Sequence, residues 1–307
     1  MRILSNIKSS VGTHTVIRLR LGLLLILFLY GQAGIAAQAN AVESLEPAPF
    51  SILTIHYGDD SANGNSFSIE ADLGLPHGNR VMLGGGDDFT TEYRTETKTS
   101  TYHVGISSDP QQYFSAALDY QQWGRVDSLT TETWRIDAGA RADNFQARVA
   151  TEFKTIHIYD RVANLYDVDS HSYGLNLSYS FPGHWFADLG YKSIDYDKDI
   201  RQETFYLLRR GLLPLVFTAQ TLQLLTTLDE SQTTFNAGVD IGDDQLGVDW
   251  VSSEAIFESV SYTIASVYYD KVLSDHWSAN LRFGRQQTDS SRISDLDIYS
   301  LSLSYFW

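Results

Sequence analysis

The chain has no cysteine, only six prolines in 307 residues, and far fewer basic than acidic side chains, 22 against 38. The missing cysteines exclude disulfides, thiolate metal sites, a lipidated N-terminus and thiol redox chemistry. The shortage of Lys and Arg, with a net charge of −16, makes poor material for nucleic acid, which is gripped through basic patches. No phosphate-binding glycine loop is present. Gly84-Gly85-Gly86 falls inside a strand-like run, where it relieves crowding or permits a bend. No nucleophile motif stands out, no complete calcium-ligand loop occurs, and nothing calls for a cofactor. What the chain does have is aromatic rings, 13% of residues, with 18 Tyr exceeding 15 Phe. That order suits rings at a membrane–water boundary, with one end wet.

The N-terminus reads as a targeting segment. Arg2, Lys8, Arg18 and Arg20 precede an apolar run from Leu21 to Tyr30, and small residues follow, ending in Ala37-Gln38-Ala39. This is the order of a secretory signal peptide, and the run is too short for a typical spanning helix. Cleavage is expected after Ala39, dividing the chain into 1–39 and a single domain at 40–307. The mature chain then carries 18 bases against 38 acids, a net charge of −20. Acidity of this size fits a wet surface that holds cations or repels anions.

From residue 50 onward apolar residues recur at every second position, the period of a strand with one apolar face. The clearest sets are Phe67 to Leu75, Phe114 to Tyr120, Trp134 to Ala140, Phe145 to Phe153, Tyr173 to Phe181, Trp185 to Tyr191, Phe235 to Ile241, Leu246 to Trp250 and Trp277 to Phe283. Tyr102, Val104 and Ile106 form a shorter set, as do Tyr262, Ile264 and Tyr268, and weaker strands fall at about 50–57 and 80–87. Two-residue turns are expected at Asp143-Asn144, Asp243-Asp244 and Ser274-Asp275, pairing Ala142 with Phe145, Ile241 with Leu246 and Val272 with Trp277. Three-residue turns are expected at His77-Gly78-Asn79, Asp109-Pro110-Gln111 and Pro182-Gly183-His184. All six lie on one side, and long polar loops (58–65, 88–98, 124–131, 160–169, 195–231, 252–259, 286–294) lie on the other. Aromatic girdles are expected from Phe145, Phe181, Trp185 and Trp277 at the short-turn boundary and from Tyr57, Trp123, Tyr159 and Tyr196 at the other.

The chain ends on Tyr299, Leu301, Leu303, Tyr305 and Trp307 along one face of a strand, with Ser300, Ser302 and Ser304 on the other. This ending resembles the C-terminal signal of Gram-negative outer-membrane β-barrels, which the barrel-assembly machinery reads. The resemblance implies an outer-membrane location, contact with lipid and lipopolysaccharide, and a closed barrel. Closure is also what the physics requires: backbone N–H and C=O groups in hydrocarbon must all be paired, and strands achieve that only without edges. A soluble β-sandwich would share the alternation but leave the secretion signal, the terminal Trp307 and the loop asymmetry unexplained. The expected fold is an all-β, transmembrane, antiparallel up-and-down barrel of about 14 strands, with 12 or 16 as alternatives. The apolar stretch at 199–229 does not fit the strand pattern. It reads as a rim helix, a flap in the lumen or an extra hairpin.

If the apolar sets face lipid, the alternate positions face inward: Glu70, Asp72, His103, Asp119, Arg135, Asp137, Arg141, Arg148, Glu152, Lys154, Asp188, Lys192, Asp240, Asp249 and Arg282, with Gln146, Asn176, Asn236 and Asn280 among the uncharged ones. Facing acyl chains, Arg or Lys would cost roughly 2–4 kcal/mol each at the midplane, so these charges imply water inside or dense pairing. The Asp143-Asn144 turn sets Arg141 opposite Gln146, Arg135 opposite Glu152, and Asp137 diagonal to Arg148. Bases on one wall and acids on others loosely resemble the charged constriction of general porins. The leading expectation is a passive, cation-preferring channel for small hydrophilic solutes. A structural, adhesive or autotransporter-like stand-alone barrel, with an acidic rim of Asp59, Asp60, Asp87, Asp88, Asp167 and Asp169, is the alternative. A hydrolase has one candidate cluster, His157, Asp160, Ser170 and His171.

Overall fold

The computed structural model describes residues 50–61, 64–92, 95–108, 113–125, 128–160, 163–198, 228–255, 261–289 and 295–307. The expected signal peptide and most of the 199–229 stretch lie outside them.

Fourteen antiparallel strands close into one barrel, each paired with its chain neighbours and the last with the first. They are β1 (Ile52–Asp60), β2 (Asn65–Gly74), β3 (Asn79–Glu92), β4 (Thr95–Ser108), β5 (Phe114–Arg125), β6 (Leu129–Ala142), β7 (Phe145–Asp160), β8 (Ala163–Phe181), β9 (Trp185–Tyr196), β10 (Asp229–Ile241), β11 (Asp244–Ala255), β12 (Ser261–Ser274), β13 (Trp277–Thr288) and β14 (Leu296–Phe306). Closure runs from Ile52 opposite Phe306 to Asp60 opposite Ile298. Ser51 and Trp307 extend it, exchanging N–H···O bonds of 2.9 and 3.1 Å. Fourteen strands about 4.8 Å apart and tilted by about 40° imply a backbone diameter of roughly 27–28 Å.

The outer face is apolar. Tyr102, Val149, Tyr173, Leu189 and Leu281 are all exposed there, and the terminal residues Tyr299, Leu301, Leu303 and Trp307 are exposed on the same side. Rings on this face pack at the short-turn end, with Trp277 4.8 Å from Tyr305 and Tyr179 4.6 Å from Phe181.

Several sequence expectations need correction. Strands continue through most of the stretches read as loops at 88–98 and 160–169, because these polar segments, the first of them Thr-rich, keep the strand period beyond the apolar band. The Asp143-Asn144 turn stands as expected, with Ala142 opposite Phe145. The next two-residue turn is Gly242-Asp243, so Asp244 pairs with Ile241 and Leu246 with Val239. Gly242 decides this, since the turn needs a residue at φ 68° and glycine adopts that without strain. The turn after β12 is Asp275-His276, with Ser274 opposite Trp277 and an irregularity between Val272 and Ser274. This bulge at Leu273 reverses which residues of β12 face out. Val267 and Tyr269 pair with outward Phe283 and Leu281, while Tyr262, Ile264 and Tyr268 point inward. Trp123 and Tyr196 also leave the expected outer girdle. Trp123 pairs with Thr101 on the inward phase of β5, and Tyr196 lies on the inward phase of β9 beside Ser170.

Candidate functional site

The inward face divides into two walls. On β6 to β9 four charged residues at mid-height are tied together. Arg135 holds Asp137 with Nε and Nη2 at 2.7 and 2.9 Å, and Nη1 lies 3.7 Å from Glu152. Lys192 Nζ sits 2.6 Å from the other Glu152 oxygen, to which Ser172 also donates at 3.1 Å. Asp137 and Glu152 are buried. Their charge is tolerable there because cations and donors surround it. Lys154 sits one strand away from Ser170 on the same wall.

Above this network, towards the long-loop end, the inward side chains turn apolar. Leu129, Ile156, Ile158 and Val168 have no accessible surface, and Ile194 and Leu228 are buried. Beside them Tyr196 donates to the Asp229 carbonyl at 2.7 Å and Tyr262 to the Asp229 carboxylate at 2.8 Å. On this side the barrel interior is packed like a protein core.

The opposite wall, β11 to β14 with β1 and β2, is polar and roomier. Arg282 binds Asp249 at 2.9 Å and lies 5.6 Å from the centre of the Tyr268 ring. Asn236 donates to the same aspartate. His56 Nδ1 meets Ser302 Oγ at 2.8 Å, and Thr54 meets Ser304 at 2.9 Å. Gly247 makes room for Tyr268: a Cβ there would stand 2.3 Å from the phenol ring.

A cavity of about 1070 Å³ follows this wall and then crosses the barrel. At the long-loop end it is bordered by Asp60, Asp88, Gln286 and Leu296, and at mid-height by Asp249, Tyr268 and Arg282. Towards the short turns its border moves to Gln146, Arg148, Ser178, Asp188 and Gln245. A recess of about 210 Å³ opens beside it, between Arg148, Asn176, Gly190 and the Glu152–Lys192 pair.

The fifteen charged positions expected on the inner face separate into groups. Arg148, Asp188, Asp249 and Arg282 border the main cavity, and Arg135, Asp137, Glu152 and Lys192 border the recess. Asp72 is held by Arg80 at 2.7 Å. Asp240 accepts from Gln245 at 2.9 Å near the short turns, and Arg141 sits opposite Gln146 there. His103 and Asp119 lie against Gly84 and Gly105, where a Cβ would meet them at 2.2 and 2.0 Å. Glu70 lies between Thr54 and Gly84. Tyr268 and His56 belong to the same surface and escaped the sequence reading, Tyr268 through the bulge and His56 because a weak strand leaves its facing unmarked; Asn236 and Ser302 stand there on the polar phase expected of them.

The suggested hydrolase cluster is not assembled. Ser170 is buried on the inward phase of β8, while His171, its chain neighbour, points the other way with its ring 5.0 Å from Phe153. His157 shares that outer phase and is held by Asp167 at 2.7 Å. The Asp160 side chain lies outside the described residues. Part of the acidic rim is engaged internally: Asp87 with Ser100 and Lys98, and Asp169 with Thr155 at 2.8 Å. Among the described residues no group of three or more His, Asp or Glu is placed to hold a metal.

An even-stranded, fully closed antiparallel barrel, apolar outside and charged within, defines the class of transmembrane β-barrels. No family model and no curated protein matches the sequence. Solved structures similar to the chain include Acinetobacter baumannii outer membrane protein Omp33, at 8% identity and TM-score 0.48, over 84% of this chain and 98% of that one. A loop-deletion mutant of OmpT, an outer membrane protein of Vibrio cholerae, matches at 9% identity and TM-score 0.44 over the same shares. Pseudomonas aeruginosa OpdK, solved with vanillate, matches at 10% identity and TM-score 0.40, over 84% of this chain and 97% of that one.

Proposed function

We propose that the protein is a passive channel for small hydrophilic solutes in the outer membrane of a Gram-negative bacterium. It is delivered by a signal peptide removed after Ala39 and folded by the barrel-assembly machinery through Tyr299, Leu301, Leu303, Tyr305 and Trp307. One observation carries the reading. The main cavity is bordered by Asp60 and Asp88 at the long-loop end and by Gln146 and Gln245 within a few residues of the short turns, so one continuous wet space reaches towards both faces. Its inward charged side chains are four carboxylates, Asp60, Asp88, Asp188 and Asp249, against two guanidiniums, Arg148 and Arg282. That balance favours cations, because fixed charge of one sign raises the local concentration of the other.

Planar-bilayer recording of the purified protein tests this. Discrete conductance steps are expected, with a reversal potential displaced towards the cation in a salt gradient. Persistent absence of steps removes the channel, and equal Na⁺ and Cl⁻ permeability removes the cation preference.

A further inference from the structure

Most charged groups in the lumen are already paired. Arg135, Lys192, Arg80 and Arg282 each have a carboxylate partner. Arg148 differs. It is exposed to the lumen, borders both the main cavity and the recess, and forms no hydrogen bond or ion pair among the described residues. Across β8 the next inward positions are Asn176, beside Arg148, and then Gly190 on β9, with Asp188 two residues nearer the short turns. Asn176 and Asp188 likewise make no hydrogen bond or ion pair among the described residues, and both border the cavity. An open cation, an open amide and an open anion thus stand on three consecutive strands of a wet wall.

We propose that Arg148, Asn176 and Asp188 form a subsite for small zwitterionic solutes, which presents a guanidinium to the carboxylate end and a carboxylate to the ammonium end. The inference rests on the channel reading and names the solute class. Two strand spacings and a two-residue offset put the backbones of Arg148 and Asp188 about 10 Å apart sideways and about 7 Å along the strands. The arginine side chain, about 6 Å long, brings the two charged heads within the span of an amino acid or a short peptide. Gly174 and Gly190 line the recess without a side chain of their own, and at Gly190 the Thr234 hydroxyl and the Asn176 amide lean into the room so left. A simple anion gains from Arg148 but is repelled by Asp188, and a simple cation meets the reverse. Only a solute with both charges gains at both ends. The planar fork of Arg148 suits a carboxylate, with Asn176 beside it able to donate to the same group.

The test uses the full-length protein in proteoliposomes and compares diglycine, a zwitterion, with N-acetylglycinamide, a neutral solute of similar size. Wild type is expected to pass diglycine faster, with saturation at high concentration. The diglycine-to-neutral ratio is expected to fall about fivefold in R148Q and in D188N, the scale of losing one water-exposed ion pair. It is expected to recover in the charge-swapped R148D/D188R double variant, because a zwitterion can bind turned end for end. K98Q, which removes a cation paired with Asp87 on the rim, should keep the wild-type ratio. Heat-modifiable gel mobility identifies the folded barrels to be compared. A ratio unaltered in both single variants, or a swap that stays at the R148Q level, overturns the subsite and leaves the channel standing. A wild-type barrel that passes neither solute overturns the channel beneath it.

Discussion

The two walls of the lumen solve the same problem in opposite ways. On β6 to β9, buried carboxylates are neutralised by Arg135 and Lys192, and Leu129, Ile156, Ile158 and Val168 complete the filling above them. On β11 to β14 and β1, serines, a histidine and one Arg282–Asp249 pair leave the space open. The first wall resembles a protein interior, where each group depends on its partner. The second resembles a protein surface, where water can replace what is lost. Polar residues inside a barrel therefore do not by themselves mark a pore: the Arg135–Asp137–Glu152–Lys192 network is structural, and the passage follows the other side before crossing to Arg148 and Asp188 towards the short turns.

That contrast can be broken by substitution, with urea unfolding of the purified barrel in detergent as the measurement. The largest effect is expected for Glu152→Ala, which leaves Lys192 and Arg135 facing each other without their shared anion, a loss of about 3–5 kcal/mol. A change below about 1 kcal/mol would show that water reaches this wall. Ile156→Ala follows, at about 2–4 kcal/mol, since the side chain is fully buried and its removal leaves a void. Gly247→Ala should cost about 1–3 kcal/mol, because the new Cβ collides with Tyr268. It should also lower single-channel conductance by pushing that ring into the cavity. Unchanged conductance would separate Tyr268 from the pathway. Ser302→Ala, on the open wall, removes one hydrogen bond to His56 and is expected to cost about 1 kcal/mol or less. A larger loss there would erase the difference between the walls.

Much of the barrel was legible because lipid enforces a strict period of two, and the Asp143-Asn144 turn fixed a register that the structure keeps, Arg135 opposite Glu152 included. Two kinds of information were not legible. A bulge adds a residue without any compositional mark, so the facing of Tyr262, Ile264 and Tyr268 was read from the wrong side of Leu273. The packed half of the lumen was missed because inward positions were expected to be polar. A signal was available: within β7 the apolar phase inverts between Phe153 and Ile156 while the strand continues. The inversion marks the height at which acyl chains stop setting the pattern and an internal core takes over. Arg148, Asn176 and Asp188 are legible as inward positions, but that they stand unpaired is not, since it depends on every neighbouring strand at once.

The extra residue at Leu273 carries a genetic consequence. Losing that one codon would only regularise the strand, since Ser274 would follow Val272 directly and every pair from Val272–Ser278 to Tyr262–Thr288 would be kept. Losing a codon from the regular part of β12, at Val267 for instance, forces one side of the gap to turn over, because side chains alternate strictly between lipid and water. The mildest in-frame deletion of three nucleotides in this strand is thus expected at the bulge itself.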